Sequence, residues 1–144
     1  MSVIFDTCVI IPRKPELLSS EHFFSAVVIQ ELISGASDAS EAKGWIALGR
    51  QAQKVGRLLV PDAEDWIECG KVLNALLRGL KSKHRGKTPR LSHQEKHRIT
   101  RDVLIARSAR RSGALLVTDN TKDFLMIQRF CRVRIKASDE FFEK

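Results

Sequence analysis

Ala114-Leu115-Leu116-Val117-Thr118, followed by Asp119-Asn120, is the stretch on which the fold turns. Its apolar run begins after Gly113 and ends in a polar turn. The run is short for a helix and lacks the alternation of a strand with one wet face. That pattern predicts a strand buried on both sides, as in a parallel sheet. The preceding residues agree, because Asp102, Ile105, Ala106 and Ala109 recur at helical spacing before Gly113 stops the helix. A helix that feeds a two-sided strand is a building unit of α/β domains.

The amino end offers a second such strand, Val3-Ile4-Phe5, which delivers Asp6 at its end. A connection containing Pro12 and Pro15 follows, and then His22-Phe23-Phe24-Ser25 as another short strand. From Ala26 the spacing becomes helical, with Ile29, Leu32 and Ile33 on one face and Gly35 as the stop. A further helix is predicted over residues 40–55, with Trp45, Leu48 and Ala52 inward. Arg57-Leu58-Leu59-Val60-Pro61 is a third strand candidate. Asp62 then caps a helix whose apolar stripe runs Trp66, Cys69/Gly70, Leu73, Leu76/Leu77 and Leu80. A return to helix is predicted shortly before Asp102. After Thr118 a polar turn leads to a short helix from about Lys122, and Cys131-Arg132-Val133-Arg134-Ile135 alternates like an edge strand. No repeat, low-complexity tract or linker divides the chain. The prediction is one α/β domain over residues 1–144, layered around a mostly parallel sheet.

The chain has 144 residues, 43% of them hydrophobic, which suffices for one core. No apolar run approaches the roughly eighteen residues of a membrane span, and the first residues reach Asp6 without the layout of a secretory signal. Cys8, Cys69 and Cys131 form no CxxC pair and no even set, as expected of free thiols in a reducing cytosol, and they argue against zinc. The expectation is a soluble cytoplasmic protein without membrane contact.

The net charge of +8 is local. Residues 78–101 hold nine basic side chains (Arg78, Lys81, Lys83, Arg85, Lys87, Arg90, Lys96, Arg98 and Arg101) against Glu95 alone, so the acids and bases of the remaining chain cancel. His84, His93 and His97 fall in the same segment, with Gly86 and Pro89 as breakers. Such a segment suits a polyanion, since each phosphate contact releases counterions. A solvated loop is the alternative reading.

In open parallel sheets the ligand site lies at the carboxyl ends of the strands. Asp6 ends the first strand, Glu31 interrupts the apolar face of its helix beside Leu32, and Asp102 heads a core-facing stripe. Acids on core-facing stripes are costly unless compensated. A hard cation among carboxylates is a common compensation, and magnesium or manganese suits oxygen ligands. Asp119, Asn120 and Asp123 follow the last central strand onto the same rim. Each has a plainer reading: Asp6 as a turn cap, Glu31 paired with a lysine, Asp102 as a first-turn acid, Asp119 and Asp123 as turn and cap residues. Their joint placement on one sheet edge favours the shared site.

Four stretches, Val3-Ile4-Phe5-Asp6-Thr7, Ser25-Ala26-Val27-Val28-Ile29-Gln30-Glu31-Leu32, Asp102-Val103-Leu104-Ile105-Ala106 and Leu116-Val117-Thr118-Asp119-Asn120-Thr121-Lys122-Asp123-Phe124, resemble in order those of PIN-domain proteins. More narrowly they resemble the VapC ribonuclease toxins of toxin–antitoxin pairs. The resemblance spans nearly the whole chain. It implies a three-layer α/β/α PIN-like domain with metal-binding acids at Asp6, Glu31 and Asp102. The fourth position stands open among Asn120, Asp123 and Asp119. Thr7 and Thr118 match supporting hydroxyl positions. Cys8 stands where the family more often has serine or asparagine. The basic stretch at 78–101 reads as an insertion relative to most relatives, and Lys81, Lys83, Arg85, Lys87, Arg90, Arg98 and Arg101 would face RNA.

The implied activity is metal-dependent endoribonuclease cleavage with Mg2+, or Mn2+, in which a bound ion lowers the pKa of its water and stabilises charge on the phosphate. Asp6 and Asp102 would hold the ion directly, Glu31 would bind it through water or help deprotonate the attacking water, and the cluster of Asp119, Asn120 and Asp123 would orient a second ion or a water. The implied partners are RNA, a cognate antitoxin protein and a second copy of the chain. Other enzyme classes fit less well. A haloacid-dehalogenase-type phosphatase needs a second acid where this chain has Cys8, no GxxxxGK[ST] loop is present, and the histidines sit among bases. The rival from another class is a non-catalytic nucleic-acid-binding protein with the same fold.

Overall fold

The computed structural model describes residues 2–17, 22–83 and 90–143, with the side chains of 14–17 and 81–83 left aside. In chain order the elements are β1 (Val3–Phe5), α1 (Thr7–Leu17), β2 (Phe24–Ser25), α2 (Ala26–Ser34), α3 (Ala39–Lys54), β3 (Leu58–Leu59), α4 (Ala63–Lys83), α5 (His93–Ser112), β4 (Leu115–Val117), α6 (Thr121–Ile127), β5 (Arg134–Lys136) and α7 (Ser138–Phe142).

Among the described residues all strand pairings are parallel. β4 lies between β1 and β5, with Ile4 opposite Leu116 and Leu116 opposite Ile135. β2 pairs with β3, and the bridge from Ile4 to Phe23 joins the two groups. The Phe23 N–H donates to the Val3 carbonyl at 3.0 Å. The strands therefore run in the order 3-2-1-4-5, and the order reverses between β1 and β4. Val3, Ile4, Phe5, Leu116 and Val117 are all buried, as two-sided strands require. Phe124, Ile127, Ile105, Val103, Val9 and Ile10 fill the space between sheet and helices, so the α/β/α layering expected from the sequence is the observed architecture.

Local chemistry fixes the helix ends. Ser25 caps α2 through Val27 N, and Asp38 caps α3 through Glu41 N at 2.8 Å. Ser92 and Glu95 form a reciprocal capping box at the start of α5. Gly113 ends that helix with φ 66°, a left-handed conformation that suits glycine.

The structure differs from the sequence reading in four elements. The connection expected around Pro12 and Pro15 is helix α1. Burial of Val9 and Ile10 holds its first turns, and the prolines leave a kink in which Arg13 departs from helical geometry, with φ −117° and ψ 18°. In α4 the buried positions are Asp65, Cys69 and Val72, whereas Trp66 is 55% exposed. The predicted stripe is rotated because an ionised residue, Asp65, occupies the inner face. The helix before Asp102 and the helix carrying it are the single element α5, so Asp102 is in mid-helix and not in a first turn. The carboxyl end adds α7, which the alternating edge-strand pattern did not foreshadow. Residues 78–83 continue α4 and residues 93–101 belong to α5, two helices that pack together. Arg85 and Lys87 lie outside the described residues, as do the side chains of Lys81 and Lys83.

Candidate active site

The reversal between β1 and β4 opens a crevice at their carboxyl ends, the position where doubly wound sheets bind ligands. Asp6 leaves β1 at that point. Its backbone N–H donates to the Val117 carbonyl at 3.0 Å, and its own carbonyl accepts from Val9 and Ile10 in the first turn of α1. The carboxylate is fully buried. Oδ1 accepts from Thr7 N at 2.8 Å, and Oδ2 accepts from Thr118 Oγ1 at 2.7 Å and, more distantly, from Cys8 Sγ at 3.7 Å. Asp6 Oδ1 thus caps the start of α1 and also meets the Arg101 guanidinium, so the cap reading and the cluster reading both hold for it. Thr118, itself buried, takes its position from β4 and also receives Asn120 N at 3.0 Å.

Glu31 projects from α2 toward the same point. Its Oε1 accepts from Thr7 Oγ1 at 3.0 Å, so the two threonines read as supporting residues each hold one acid. Asp102 enters from the middle of α5, with its side chain 3% exposed.

These three carboxylates converge on one cation, the guanidinium of Arg101. Nε donates to Glu31 Oε1 at 2.6 Å, Nη1 bonds Asp102 Oδ1, and Nη2 bonds Asp6 Oδ1 with a longer approach to Thr7 Oγ1 at 3.5 Å. The Arg101 side chain is only 12% exposed. The charge census had placed Arg101 with the RNA-facing bases, whereas the structure places it inside the acid cluster. Its position next to Asp102, on the inner edge of α5, was the available signal. Burial disfavours its charge, but Asp6, Glu31 and Asp102 outweigh that and hold its pKa above the ordinary value.

Burial also acts on Asp102. It outweighs the Arg101 charge and, helped by Asp6 and Asp123, pushes the carboxyl up to about 7. Cys8 is raised too, by burial first and then by Asp6, so its thiol stays neutral beside the acids.

A cleft of about 430 Å³ opens over this cluster, lined by Thr7, Cys8, Glu31, His97, Arg98, Arg101, Asp102, Asn120 and Asp123. Asn120 and Asp123 therefore reach the rim, and Asp123 makes no hydrogen bond or ion pair among the described residues. Asp119 turns away, accepting from Ser138 N at 3.0 Å and Ser138 Oγ at 2.6 Å to tie the β4 turn to α7. Of the bases read as RNA-facing, Arg98 lines the cleft and Arg90 is exposed farther along the α4–α5 side. A second groove of about 550 Å³ shares Glu31 and Arg101 and continues past Val27, Trp66, His97 and Leu104.

The donor set suits a hard divalent cation: three carboxylates from three elements, aimed at one positive centre. Their present spacing is that of a guanidinium complex. Among the described residues no group of three or more His, Cys, Asp or Glu is close enough to hold an ion as it stands. The set fits a metal in chemistry and aim, on the condition that Arg101 gives way.

No protein-family model and no curated protein matches the chain by sequence. Solved structures do. VapBC-1 from nontypeable Haemophilus influenzae aligns over 95% of this chain and 98% of the matched chain, at 20% identity and a TM-score of 0.56. DNA-bound VapBC from Salmonella typhimurium aligns over the same shares at 23% identity and a TM-score of 0.52. FitAB bound to an IR36 DNA fragment aligns over 95% and 94% at 17% identity, with a TM-score of 0.51. Likeness at this level of identity concerns architecture: the chain has the three-layer α/β/α fold of the chains it matches in the VapBC and FitAB structures.

Proposed function

We propose that this protein is a metal-dependent endoribonuclease that hydrolyses RNA phosphodiester bonds, and that it is the toxin of a toxin–antitoxin pair. One observation carries the reading. Asp6, Glu31 and Asp102, drawn from β1, α2 and α5, meet at the carboxyl-end crevice around a single cationic centre. Basic Arg98 at the mouth supports a polyanionic substrate.

Asp6 and Asp102 would hold Mg2+ or Mn2+, with Glu31 and the rim residues Asn120 or Asp123 completing the set. The ion, when bound, supplies a water of lowered pKa and positive charge beside the phosphate. The protein's own groups provide order. Thr118 and Thr7 N fix the two oxygens of Asp6, and Thr7 Oγ1 fixes Glu31 Oε1. Glu31 is the most exposed of the three acids, at 27%. Its Oε2, left alone by Thr7 and Arg101, is placed to take a proton from attacking water. Attack on phosphorus breaks the bond to the 3′ oxygen, which gains a proton, leaving a 3′-hydroxyl and a 5′-phosphate.

Two observations support the proposed partners. The structural neighbours are complexes, and Trp66 of α4, 55% accessible, lines the groove of about 550 Å³. An antitoxin segment over that groove and a toxin homodimer are the proposed assembly. A second reading, a non-catalytic nucleic-acid-binding PIN protein, is favoured by the same Arg101 contacts, since an internal cation already compensates part of the acid charge.

RNA cleavage by purified protein with Mg2+, Mn2+ or EDTA, beside Asp102→Asn, separates the two. Cleavage that requires metal and disappears in the variant is expected, with a loss of at least ~100-fold. Salt-sensitive RNA binding without cleavage would transfer the case to the second reading.

A further inference from the structure

We propose that Arg101 is a built-in occupant of the cation position, which a divalent ion must displace before it can bind. The inference rests on the metal-dependent reading above and adds a competitor carried by the chain itself.

The contact set defines the competition. A guanidinium with three ion pairs to Asp6, Glu31 and Asp102 takes an oxygen from each of the acids that would ligate the ion. Both cations cannot use those oxygens at once. The charge count favours exchange. Three carboxyl groups face one guanidinium, so the acids outnumber the charge that compensates them, and Asp123 stands on the same cleft. A divalent ion in that position neutralises more of this charge than arginine does.

Two of the three acids keep a partner without Arg101. Asp6 is fixed by Thr7 N and Thr118, and Glu31 by Thr7 Oγ1, so release of the arginine leaves these two in place, while Asp102 gives up its ion pair and becomes free to meet another cation. Arg101 has somewhere to go. It lines the open cleft of about 430 Å³ together with His97 and Arg98 from the preceding turn of α5, so its long side chain would swing into that opening. There it joins Arg98 as a second charge at the mouth, the role the charge pattern alone had suggested. Affinity for metal is then lowered by the fraction of molecules in which Arg101 is seated.

The test is Mn2+ binding, followed by the electron paramagnetic resonance of free Mn2+, on the wild-type protein and Arg101→Met at equal concentration. The variant should bind Mn2+ at least ~10-fold more tightly. Affinities within two-fold of one another, with Mn2+ bound in both, would overturn the competition and leave the metal reading intact. Absence of binding in both would overturn the metal reading, and the competition with it. A second measurement uses the wild type alone, so it holds even if the variant does not fold. Phenylglyoxal modification of Arg101, located by peptide mass spectrometry, should rise several-fold on saturation with Mg2+ and fall again with EDTA. Equal modification in both conditions, with Mn2+ binding demonstrated, would show that the ion enters without displacing the arginine.

Discussion

Asp102→Asn should raise the stability of the metal-free protein at alkaline pH while it abolishes RNA cleavage. In the folded protein, burial, opposed by Arg101 and reinforced by Asp6 and Asp123, places the Asp102 carboxyl at about 7. In the unfolded chain an aspartate titrates near ~3.9. The folded state therefore holds the proton more tightly. The stability linked to that proton is complete below the unfolded pKa and is lost as pH rises through the folded one. About three pKa units at ~1.4 kcal/mol each make a few kcal/mol in all, most of which falls between pH 5 and pH 8. The side chain is 3% exposed, so solvent screening removes little of this. Asparagine keeps an acceptor for Arg101 and has no such slope. Thermal unfolding by circular dichroism in EDTA, on both proteins at both pH values, measures the effect. Relative to wild type, the variant's Tm should gain about 8 °C between pH 5 and pH 8 for a chain of this length. A gap that stays constant within 2 °C would mean that Arg101 fully compensates an ionised Asp102, and the account of an over-acidic site would fail.

The other predictions concern the residues around this centre. Asp65→Asn should destabilise the fold by about 3 kcal/mol in urea at pH 7, because it leaves Arg107 and Arg111 without their buried acid, while Mn2+ affinity stays unchanged. Burial works against the Asp65 charge, but bonds from Arg107 and Asp62 and the charge of Arg111 outweigh it and hold the pKa below the ordinary value. That stability is present above the unfolded aspartate pKa and is lost as pH falls through the folded one, so wild type and variant should converge in strong acid. Thr118→Val removes the donor to Asp6 Oδ2 and should cost about 1–2 kcal/mol of stability, together with a fall in cleavage rate of ~10-fold or more; wild-type cleavage would refute the role given to that hydroxyl. Arg98→Ala should weaken RNA binding evenly across sequences and reduce the slope of log affinity against log salt by about one, as read by fluorescence anisotropy; an unchanged slope would remove Arg98 from the phosphate path.

Much of the sheet was legible because two-sided strands announce themselves. Val3-Ile4-Phe5 and Leu115-Leu116-Val117 have no polar residue to confuse the reading, and each ends on a polar group that the chain places at the crevice. The burial of Asp6 and Asp102 was legible for the related reason that both stand where apolar residues belong. What stayed hidden depended on tertiary partners. α1 contains two prolines, and only the burial of Val9 and Ile10 against the sheet makes a helix of it. The phase of α4 was obscured because Asp65 is inward, and nothing local reveals that Arg107 and Arg111, more than forty residues away, receive it. Arg101 was assigned by the company it keeps in sequence, among bases, whereas its helix phase sets it among acids.

The two acid–arginine clusters differ in a way that separates structural from functional use. At the start of α4, Asp62 and Asp65 meet Arg107 and Arg111, two charges against two, with Asp62 and Asp65 also capping one another's backbone. That cluster is balanced and its acids are satisfied, so it needs no further cation. At the crevice, Arg101 is the one cation that Asp6, Glu31 and Asp102 meet among the described residues, and Asp123 adds a fourth acid on the cleft. Folding energy alone gives no reason to retain an excess of buried negative charge, because an unmatched ion in a low-dielectric interior costs several kcal/mol by about the same argument that shifts Asp102. The excess makes sense when a second positive species arrives from outside, and the geometry that holds Asp6 and Glu31 without help from Arg101 leaves room for it. Titrating Mg2+ against thermal unfolding of Asp65→Asn and Asp102→Asn then discriminates the clusters directly. Metal should still stabilise the first variant and should no longer stabilise the second, and the opposite order would reassign the functional centre to α4.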